Sequence, residues 1–220
     1  KDAIKVDPNN ADAYLCAGNA NMSFEKYDIA IKYYQKAVEC EPENGDRYFH
    51  LGYALATNSQ SAEAIAIFAK ADEIGCSPEV TGQLYKILGM LCFDLKKYDD
   101  AISIFEKLLK KDIKNNEKIK NGLINAYVNK AIDAEKSGDL KTAIDLYEKV
   151  LDYDNKNTDI YVNLSKLYEK SGNKNKSLNV LKTAAEMNPE DKLVIYTLAN
   201  IQKNNNMLDE TKKNYIKLIQ

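Results

Sequence analysis

Five side chains in the sequence are histidine or cysteine, which often serve as catalytic base, thiol nucleophile or zinc ligand. They are His50, the only histidine, and the four cysteines Cys16, Cys40, Cys76 and Cys92. No two cysteines have the C-x-x-C spacing that is typical of zinc and redox sites. A catalytic pair of Cys16 and His50 would also need a third residue that orients the base, and no motif supplies it. We therefore expect buried free thiols, which favour a reducing compartment such as the cytoplasm.

Other motifs of catalysis and cofactor binding are also missing from the sequence. It contains no glycine-rich phosphate loop, no G-x-S-x-G motif and no spaced set of histidine and carboxylate metal ligands. Asp99 and Asp100 are adjacent carboxylates, but they stand where a helix is expected to begin and there favour the helix dipole. The sequence therefore predicts a protein that is not an enzyme and that has no cofactor and no metal site.

The composition limits the classes of partner. The chain has 220 residues, 45% of them hydrophobic and 29% charged, with a formal net charge of -2. A net charge this small gives no general attraction to nucleic acid or to anionic membranes. No apolar run approaches the roughly 18 residues of a membrane span. We expect neither nucleic acid nor membrane as a partner. Because the sequence opens with "KDAIKVDPNN" and not with Met, we also expect it to be an excerpt of a longer chain.

The hydrophobic pattern has the period of a helix. Ala101, Ile104, Phe105 and Leu108 follow the spacing i, i+3, i+4 and i+7, and similar sets recur along the whole chain. Proline and glycine are scarce, with four and nine residues. The sequence predicts an all-α fold.

A segment of about 34 residues recurs along the chain, as the distance from Pro8 to Pro42 illustrates. A small residue opens each second helix: Ala30, Ala64, Ala101, Ala143, Ser177 and Thr211. An aromatic residue or leucine follows four positions later: Tyr34, Phe68, Phe105, Tyr147, Leu181 and Tyr215. The first helix of each segment carries a small residue at one fixed position: Gly18, Gly52, Gly89, Ala131, Ser165 and Ala199.

This pattern resembles the tetratricopeptide repeat (TPR) family, and the resemblance covers the whole chain. It implies a right-handed superhelical solenoid of antiparallel helix pairs. Residues 1–10 are interpreted as the end of a preceding repeat. Six repeats are predicted at 11–44, 45–78, 82–115, 124–157, 158–191 and 192–220. Two insertions, 79–81 and 116–123, interrupt the spacing, and the second predicts one long helix over about 116–137.

Local signals agree with this interpretation. Small residues at the helix crossing allow close approach of the two helices of a pair. Four residues are predicted to cap the helix that follows them: Asn10, Asn44, Asn157 and Asp191. Gly138 and Gly172 suit the left-handed position after a helix.

The resemblance implies a binding protein whose first helices line a concave groove. In the N-terminal half the residues expected to face a partner are Leu15, Asn19, Phe49, His50, Tyr53, Lys86, Met90 and Phe93. The alternative is that Phe49, Met90 and Phe93 only pack between helices. In the C-terminal half the expected groove residues are charged and mixed, and they include Glu135, Glu169 and Lys170. The predicted function is a non-catalytic scaffold that binds a protein or peptide segment.

Some TPR domains clamp the C-terminal carboxylates of chaperone tails with lysine, asparagine and arginine at fixed positions. Repeats 1–3 offer Leu15, Asn19, His50, Gln83 and Ile87 at those positions. Only Asn19 matches. In repeats 3–5 Lys86 and Asn129 match, but Asp159 has the wrong charge. The sequence therefore does not favour such a clamp.

Two alternatives stay open. The first is self-assembly into a homo-oligomer through exposed terminal repeats. The second is that this array is the docking arm of a larger enzyme whose catalytic domain lies outside the chain.

Overall fold

The structure is a computed structural model that describes residues 2–110 and 117–219. Within these ranges the chain forms only helices, and no strand is present, which confirms the all-α prediction. The helices are α1 (Asp2–Val6), α2 (Ala11–Ser23), α3 (Tyr27–Cys40), α4 (Gly45–Thr57), α5 (Ser61–Ile74), α6 (Pro78–Asp94), α7 (Tyr98–Lys110), α8 (Glu117–Ser137), α9 (Leu140–Tyr153), α10 (Thr158–Lys170), α11 (Lys174–Met187), α12 (Lys192–Asn204) and α13 (Leu208–Ile219).

The chain divides into two compact units, unit 1 (Lys1–Gly122) and unit 2 (Leu123–Gln220). In unit 1 the helices pack as the pairs α2–α3, α4–α5 and α6–α7, and the second helix of a pair also packs on the next first helix. In unit 2 the same succession runs from α9 to α13. The division into six repeats stays a prediction. Residues 111–115 of the third predicted repeat and Asn116 of the second insertion lie outside the described residues.

The second helix of each pair supplies the closest packing. In α3 the small side chains of Ala30 and Ala37 are completely buried, and Tyr34 between them is 2% exposed. The three residues lie on one face because their spacing follows the helical period. The same arrangement recurs in α9 with Ala143, Tyr147 and Val150. The predicted small and aromatic positions therefore form the core between the helices of a pair.

Side-chain caps explain where several first helices begin. Asn10 Oδ1 accepts a hydrogen bond from the Ala13 backbone N–H at 2.9 Å, and Asn44 Oδ1 accepts one from the Asp46 N–H at 3.1 Å. Asp191 Oδ1 accepts from two N–H groups at the start of α12. Asn157 stands at the N-cap position of α10 as predicted, but its side chain makes no capping hydrogen bond.

The turns inside the helix pairs reverse the chain through a left-handed residue. Gly138 and Gly172 have φ angles of 84° and 78°, which confirms the predicted conformation. The equivalent turns elsewhere use residues with side chains. These are Glu25, Ser59, Lys96 and Asn206, with φ between 57° and 63°. Such residues adopt this conformation only at a cost in free energy.

The glycines at the crossing position of the three helix pairs of unit 1 lie directly against aromatic rings. A Cβ atom built on Gly18 would approach the Tyr34 ring to 2.4 Å, and one on Gly52 would approach the Phe68 ring to 2.8 Å. Gly89 has the same relation to Phe105, at 2.6 Å. These contacts are closer than any real Cβ makes, so glycine sets the separation of the helices in these pairs.

Both predicted insertions lie in first helices. Residues 79–81 fall in α6, which is 17 residues long, whereas α2 and α4 have 13 residues each. The second insertion extends α8 to 21 residues. This confirms the predicted long helix over residues 117–137, and Asn116 is not described.

Candidate functional site

Three side chains at equivalent positions of the predicted repeats form what we term the first-helix row: Asn19 on α2, Tyr53 on α4 and Met90 on α6. Helix α2 packs against α4, and α4 packs against α6. Asn19 is exposed, the Tyr53 side chain is 44% exposed and Met90 is 54% exposed. Neighbouring helices of unit 1 therefore each present one side chain of the row to solvent.

Tyr53 packs against an aromatic cluster. The rings of Phe49 and Tyr53 stack with their centroids 6.3 Å apart, and Phe49 also contacts the Phe68 ring at 5.9 Å. Phe49 is only 5% exposed. The prediction that Phe49 contacts a partner is therefore corrected. The packing alternative holds for this residue, because the neighbouring helices cover its ring.

Asn19 is held by a residue of the second helix. The Tyr34 hydroxyl donates a hydrogen bond of 2.8 Å to Asn19 Oδ1. Burial raises the pKa of Tyr34 to about 12, so the hydroxyl keeps its proton near neutral pH. The single oxygen of the Asn19 carboxamide thus accepts a hydrogen bond from within the protein, although the residue itself is exposed.

His50 lies against Tyr34 and is half-buried. The two rings are nearly parallel, with centroids 5.8 Å apart. Burial, together with the positive charge of Arg47, lowers the pKa of His50 below its ordinary value. His50, which was predicted to face a partner, thus has its ring partly packed inside unit 1.

The other three predicted groove residues, Leu15, Lys86 and Phe93, are partly buried. The Phe93 ring contacts the Tyr98 ring with centroids 5.8 Å apart. These residues flank the row and do not belong to its exposed part.

The cysteines only partly follow the prediction of buried thiols. Cys92 is buried, Cys40 and Cys76 are half-buried, and Cys16 is exposed. Cys16 lines a cavity of about 490 Å³ between α1 and α2, together with Ile4. The prediction was therefore wrong for Cys16, because α1 covers only part of this face of α2 and leaves Cys16 exposed.

Ion pairs join charged side chains on the first helices α8 and α10 of unit 2. Lys170 Nζ lies 2.6 Å from Glu135 Oε1, which joins α10 to α8. Lys136 lies 3.7 Å from Asp133 on its own helix. Lys170 and Glu135, which were both predicted to face a partner, therefore neutralise each other.

Sequence reasoning missed two exposed apolar side chains of unit 2. Leu193 and Tyr196 on α12 are 49% and 53% exposed. Tyr196 occupies the repeat position of Leu15 and Lys86, so the repeat spacing that selected the groove residues of unit 1 would also have found it.

Among the described residues, neither a metal site nor a membrane-spanning helix is found. In the part of the chain that the structure describes, no group of three or more histidine, cysteine, aspartate and glutamate side chains is arranged to hold a metal ion. Over the same residues, every helix is too short or too polar to cross a membrane.

Family models match successive parts of the chain. Two are described as tetratricopeptide repeat and match residues 80–156 and 134–201. Together they cover residues 80–201, more than half of the chain. Another, described as anaphase-promoting complex, cyclosome, subunit 3, matches residues 24–108.

Similar proteins carry the same repeat. The small glutamine-rich tetratricopeptide repeat-containing protein 2 of Mycosarcoma maydis is 30% identical over 53% of this chain and 32% of its own. The Hsp70-Hsp90 organising protein of Plasmodium falciparum is 26% identical over 69% of this chain and 26% of its own. The chain thus spans about a third of the first relative and about a quarter of the second.

Among solved structures, YrrB, a TPR protein with an unusual peptide-binding site, is 22% identical. The match covers 89% of this chain and 95% of that chain, with a TM-score of 0.55. At this identity the likeness shows a shared fold.

Proposed function

The chain belongs to the tetratricopeptide repeat family, and on that premise we propose that it is a non-catalytic scaffold that binds a segment of another protein across α2, α4 and α6. The first-helix row is the proposed contact surface. The main support for this proposal is the exposure of Tyr53 and Met90, at 44% and 54%, on adjacent helices. Large apolar and aromatic side chains that stay exposed next to one another are typical of interaction sites.

The spacing of the row fits an extended segment. Packed helix axes lie about 8–10 Å apart, so the row spans about 20 Å from α2 to α6. An extended chain rises about 3.3 Å per residue, and about six residues therefore cover the row. Tyr53 and Met90 would contact apolar side chains of that segment, and Asn19 would supply a polar contact at one end.

The relatives support protein binding in general terms. One is named an Hsp70-Hsp90 organising protein, and YrrB is described as having a peptide-binding site. We do not propose that this chain clamps a chaperone tail. Of the five clamp positions in repeats 1–3, only that of Asn19 has the residue type that such a clamp uses.

Selection of peptides from a random library on the immobilised chain tests the proposal. The affinity of the selected peptides is then measured by calorimetry for the wild type and for a Tyr53→Ala/Met90→Ala variant. Phe24→Ala is the matched control, because Phe24 is 74% exposed in unit 1 but lies at the turn after α2. We expect the double variant to lose most of the affinity and the control to keep it, with circular dichroism showing equal helicity. Equal binding by all three proteins would contradict the proposal.

Self-association is the second candidate. Leu208 and Ile216 of α13 are 62% and 57% exposed, which is an apolar surface that a second copy could cover. Sedimentation equilibrium of the wild type and of an Ile216→Asp variant tests it. A mass that rises with concentration only in the wild type would support self-association.

A further inference from the structure

We propose that Tyr34 is a positioning residue that fixes the carboxamide of Asn19 as a hydrogen-bond donor toward a backbone carbonyl of the bound segment. This inference rests on the proposed function, since it concerns one end of the first-helix row. It assigns a binding role to a buried second-helix residue that was identified from the sequence only as core.

The hydrogen bond decides which end of the amide faces the partner. Tyr34 donates to Asn19 Oδ1 at 2.8 Å, so the oxygen is directed at the second helix. The Nδ2 group, with its two N–H donors, is then the part of the carboxamide left for a partner. An unrestrained asparagine would present oxygen and nitrogen about equally. The hydroxyl therefore makes this end of the row selective for an acceptor, and the repeating acceptor of an extended segment is its backbone carbonyl.

The Tyr34 ring itself is fixed from two sides. On one side it lies so close to Gly18 that a Cβ atom there would come within 2.4 Å of the ring. On the other side it stacks on His50 of α4, with centroids 5.8 Å apart. Because Gly18 directly precedes Asn19, the ring and the carboxamide are anchored to the same turn of α2. A bond held in this way restricts the side chain before binding, which reduces the entropy lost on binding.

A second copy of the pair occurs in unit 2. Tyr215 donates to Asn200 Oδ1 at 2.7 Å, at the same two repeat positions. At the repeat position of Asn19, α4 carries Tyr53 and α6 carries Met90. The second helices paired with them carry Phe68 and Phe105 at the repeat position of Tyr34, and phenylalanine has no hydroxyl. Where that position is Lys166, the second-helix residue is Leu181. The hydroxyl thus accompanies asparagine at both positions where asparagine occurs. One tyrosine, Tyr147, stands opposite Ile132 and serves as a control.

The Tyr34→Phe variant tests the inference, because it removes the hydroxyl and keeps the ring. Phenylalanine already fills this repeat position at Phe68 and Phe105, so the fold is expected to tolerate it. The probe is a peptide selected from the random library on the wild-type chain and measured by calorimetry. We expect Tyr34→Phe to weaken binding about 2- to 5-fold, because the released carboxamide presents its N–H donors only about half of the time and its side chain is no longer restricted before binding. Tyr147→Phe should leave the affinity unchanged.

A double-mutant cycle separates positioning from a structural effect. Asn19→Ala should weaken binding at least as much as Tyr34→Phe, and adding Tyr34→Phe to Asn19→Ala should cause no further loss. Unchanged affinity in Tyr34→Phe overturns the inference. A loss that persists undiminished in the Asn19→Ala background also overturns it, since Tyr34 would then act through the fold. If peptides bind equally to the Tyr53→Ala/Met90→Ala variant, the proposed function fails first and the inference fails with it.

Discussion

Unit 1 and unit 2 form the same kind of helix pair, but the closest contacts between the two helices of a pair differ. In unit 1 the crossing position is Gly18, Gly52 or Gly89, and an aromatic ring lies directly on each glycine. In unit 2 the equivalent residues are Ala131, Ser165 and Ala199, and all three are completely buried. In unit 2 the second helices therefore pack over Cβ atoms, whereas in unit 1 they pack over glycine backbone that carries no side chain. The repeat tolerates this change because the small-residue requirement is a limit on size and not on identity.

The exposed faces of the first helices differ much more. Unit 1 presents Tyr53 and Met90 to solvent on α4 and α6. In unit 2, Glu135 and Lys170 on α8 and α10 bind each other at 2.6 Å, and the exposed apolar side chains of a first helix, Leu193 and Tyr196, lie on α12. Residues on this face contribute little to the helix pair, so they can vary without loss of the fold. The core positions therefore specify the architecture and leave the binding chemistry free.

Substituting Gly52 should have the largest effect. A Cβ at this position would approach the Phe68 ring to 2.8 Å, so Gly52→Ala forces the ring to move. Overpacking costs about 1–3 kcal/mol, and the better helix propensity of alanine regains up to about 1 kcal/mol. We expect a net loss of about 1–2 kcal/mol in the free energy of unfolding, measured by urea denaturation and located in α4 and α5 by hydrogen exchange.

Gly82→Ala is the matched control for this prediction. Gly82 lies in α6 of the same unit, and a Cβ atom added there would meet no atom within 4 Å. This substitution should stabilise the chain by about 0.5–1 kcal/mol. A stabilisation of similar size by Gly52→Ala would show that unit 1 does not need its glycines and would remove the contrast with unit 2.

The turns offer a second test of the same contrast. Unit 1 places Glu25, Ser59 and Lys96 in the left-handed region, with φ of 57°, 63° and 59°, whereas unit 2 uses Gly138 and Gly172 in two of its turns. Replacing any one of the three by glycine should raise the free energy of unfolding by about 0.5–1 kcal/mol, because the backbone strain is relieved. The thermal midpoint of each variant is the measurement.

The reverse substitutions are the control. Gly138→Ala and Gly172→Ala should each lower the free energy of unfolding by about 1 kcal/mol, since alanine would then bear the same strain. A neutral outcome for both reversals would mean that the turn conformation carries no cost in this protein.

Most of the fold follows from local patterns in the sequence. Asn10, Asn44 and Asp191 were predicted as caps, and each accepts a backbone hydrogen bond at the start of its helix. Asn157 has the same residue type at the same position and makes no such bond. The difference lies in side-chain orientation, which the repeat spacing does not specify.

The candidate surface was harder to predict because exposure depends on neighbouring helices. Phe49 and Tyr53 are aromatic residues one turn apart on α4, yet Phe49 is 5% exposed and Tyr53 is 44% exposed. Cys16 fits a buried position by composition and is exposed. The hydrogen bond from Tyr34 to Asn19 joins residues 15 positions apart and has no signature in the local hydrophobic pattern. Contacts of this kind depend on the distance and orientation between the two helices of a pair.

A pH titration should sharpen the contrast, because unit 1 contains the only histidine. Burial and Arg47 lower the pKa of His50, while Asp46 opposes them, and the ring stacks on Tyr34. The unfolded chain therefore takes up a proton before the folded chain does as the pH falls below about 6.5. We expect the free energy of unfolding to decrease from about pH 7 to about pH 5. Glu41 and Asp191 have lowered pKa values and lose their charge only at still lower pH.

His50→Phe is the informative variant for this titration, because it keeps a ring against Tyr34 and cannot be protonated. Urea midpoints followed by circular dichroism should become independent of pH over the same interval. If the decrease persists in His50→Phe, groups other than the histidine cause it.

The smallest expected effect concerns the ion pair of unit 2. The side chains of Lys170 and Glu135 are 55% and 34% exposed, and exposed pairs contribute about 0.2–1 kcal/mol. A double-mutant cycle with Glu135→Gln and Lys170→Met should therefore give a coupling free energy in the lower half of that range, and this coupling should decrease at high salt.

The same variants test why unit 1 is the proposed binding face. Lys170→Met would leave an apolar side chain beside the unpaired Glu135 carboxylate. If the ion pair keeps partners from the unit 2 face, peptide selection on this variant should yield sequences that the wild type does not select. Identical selected sequences would mean that the Glu135–Lys170 pair does not decide which unit binds.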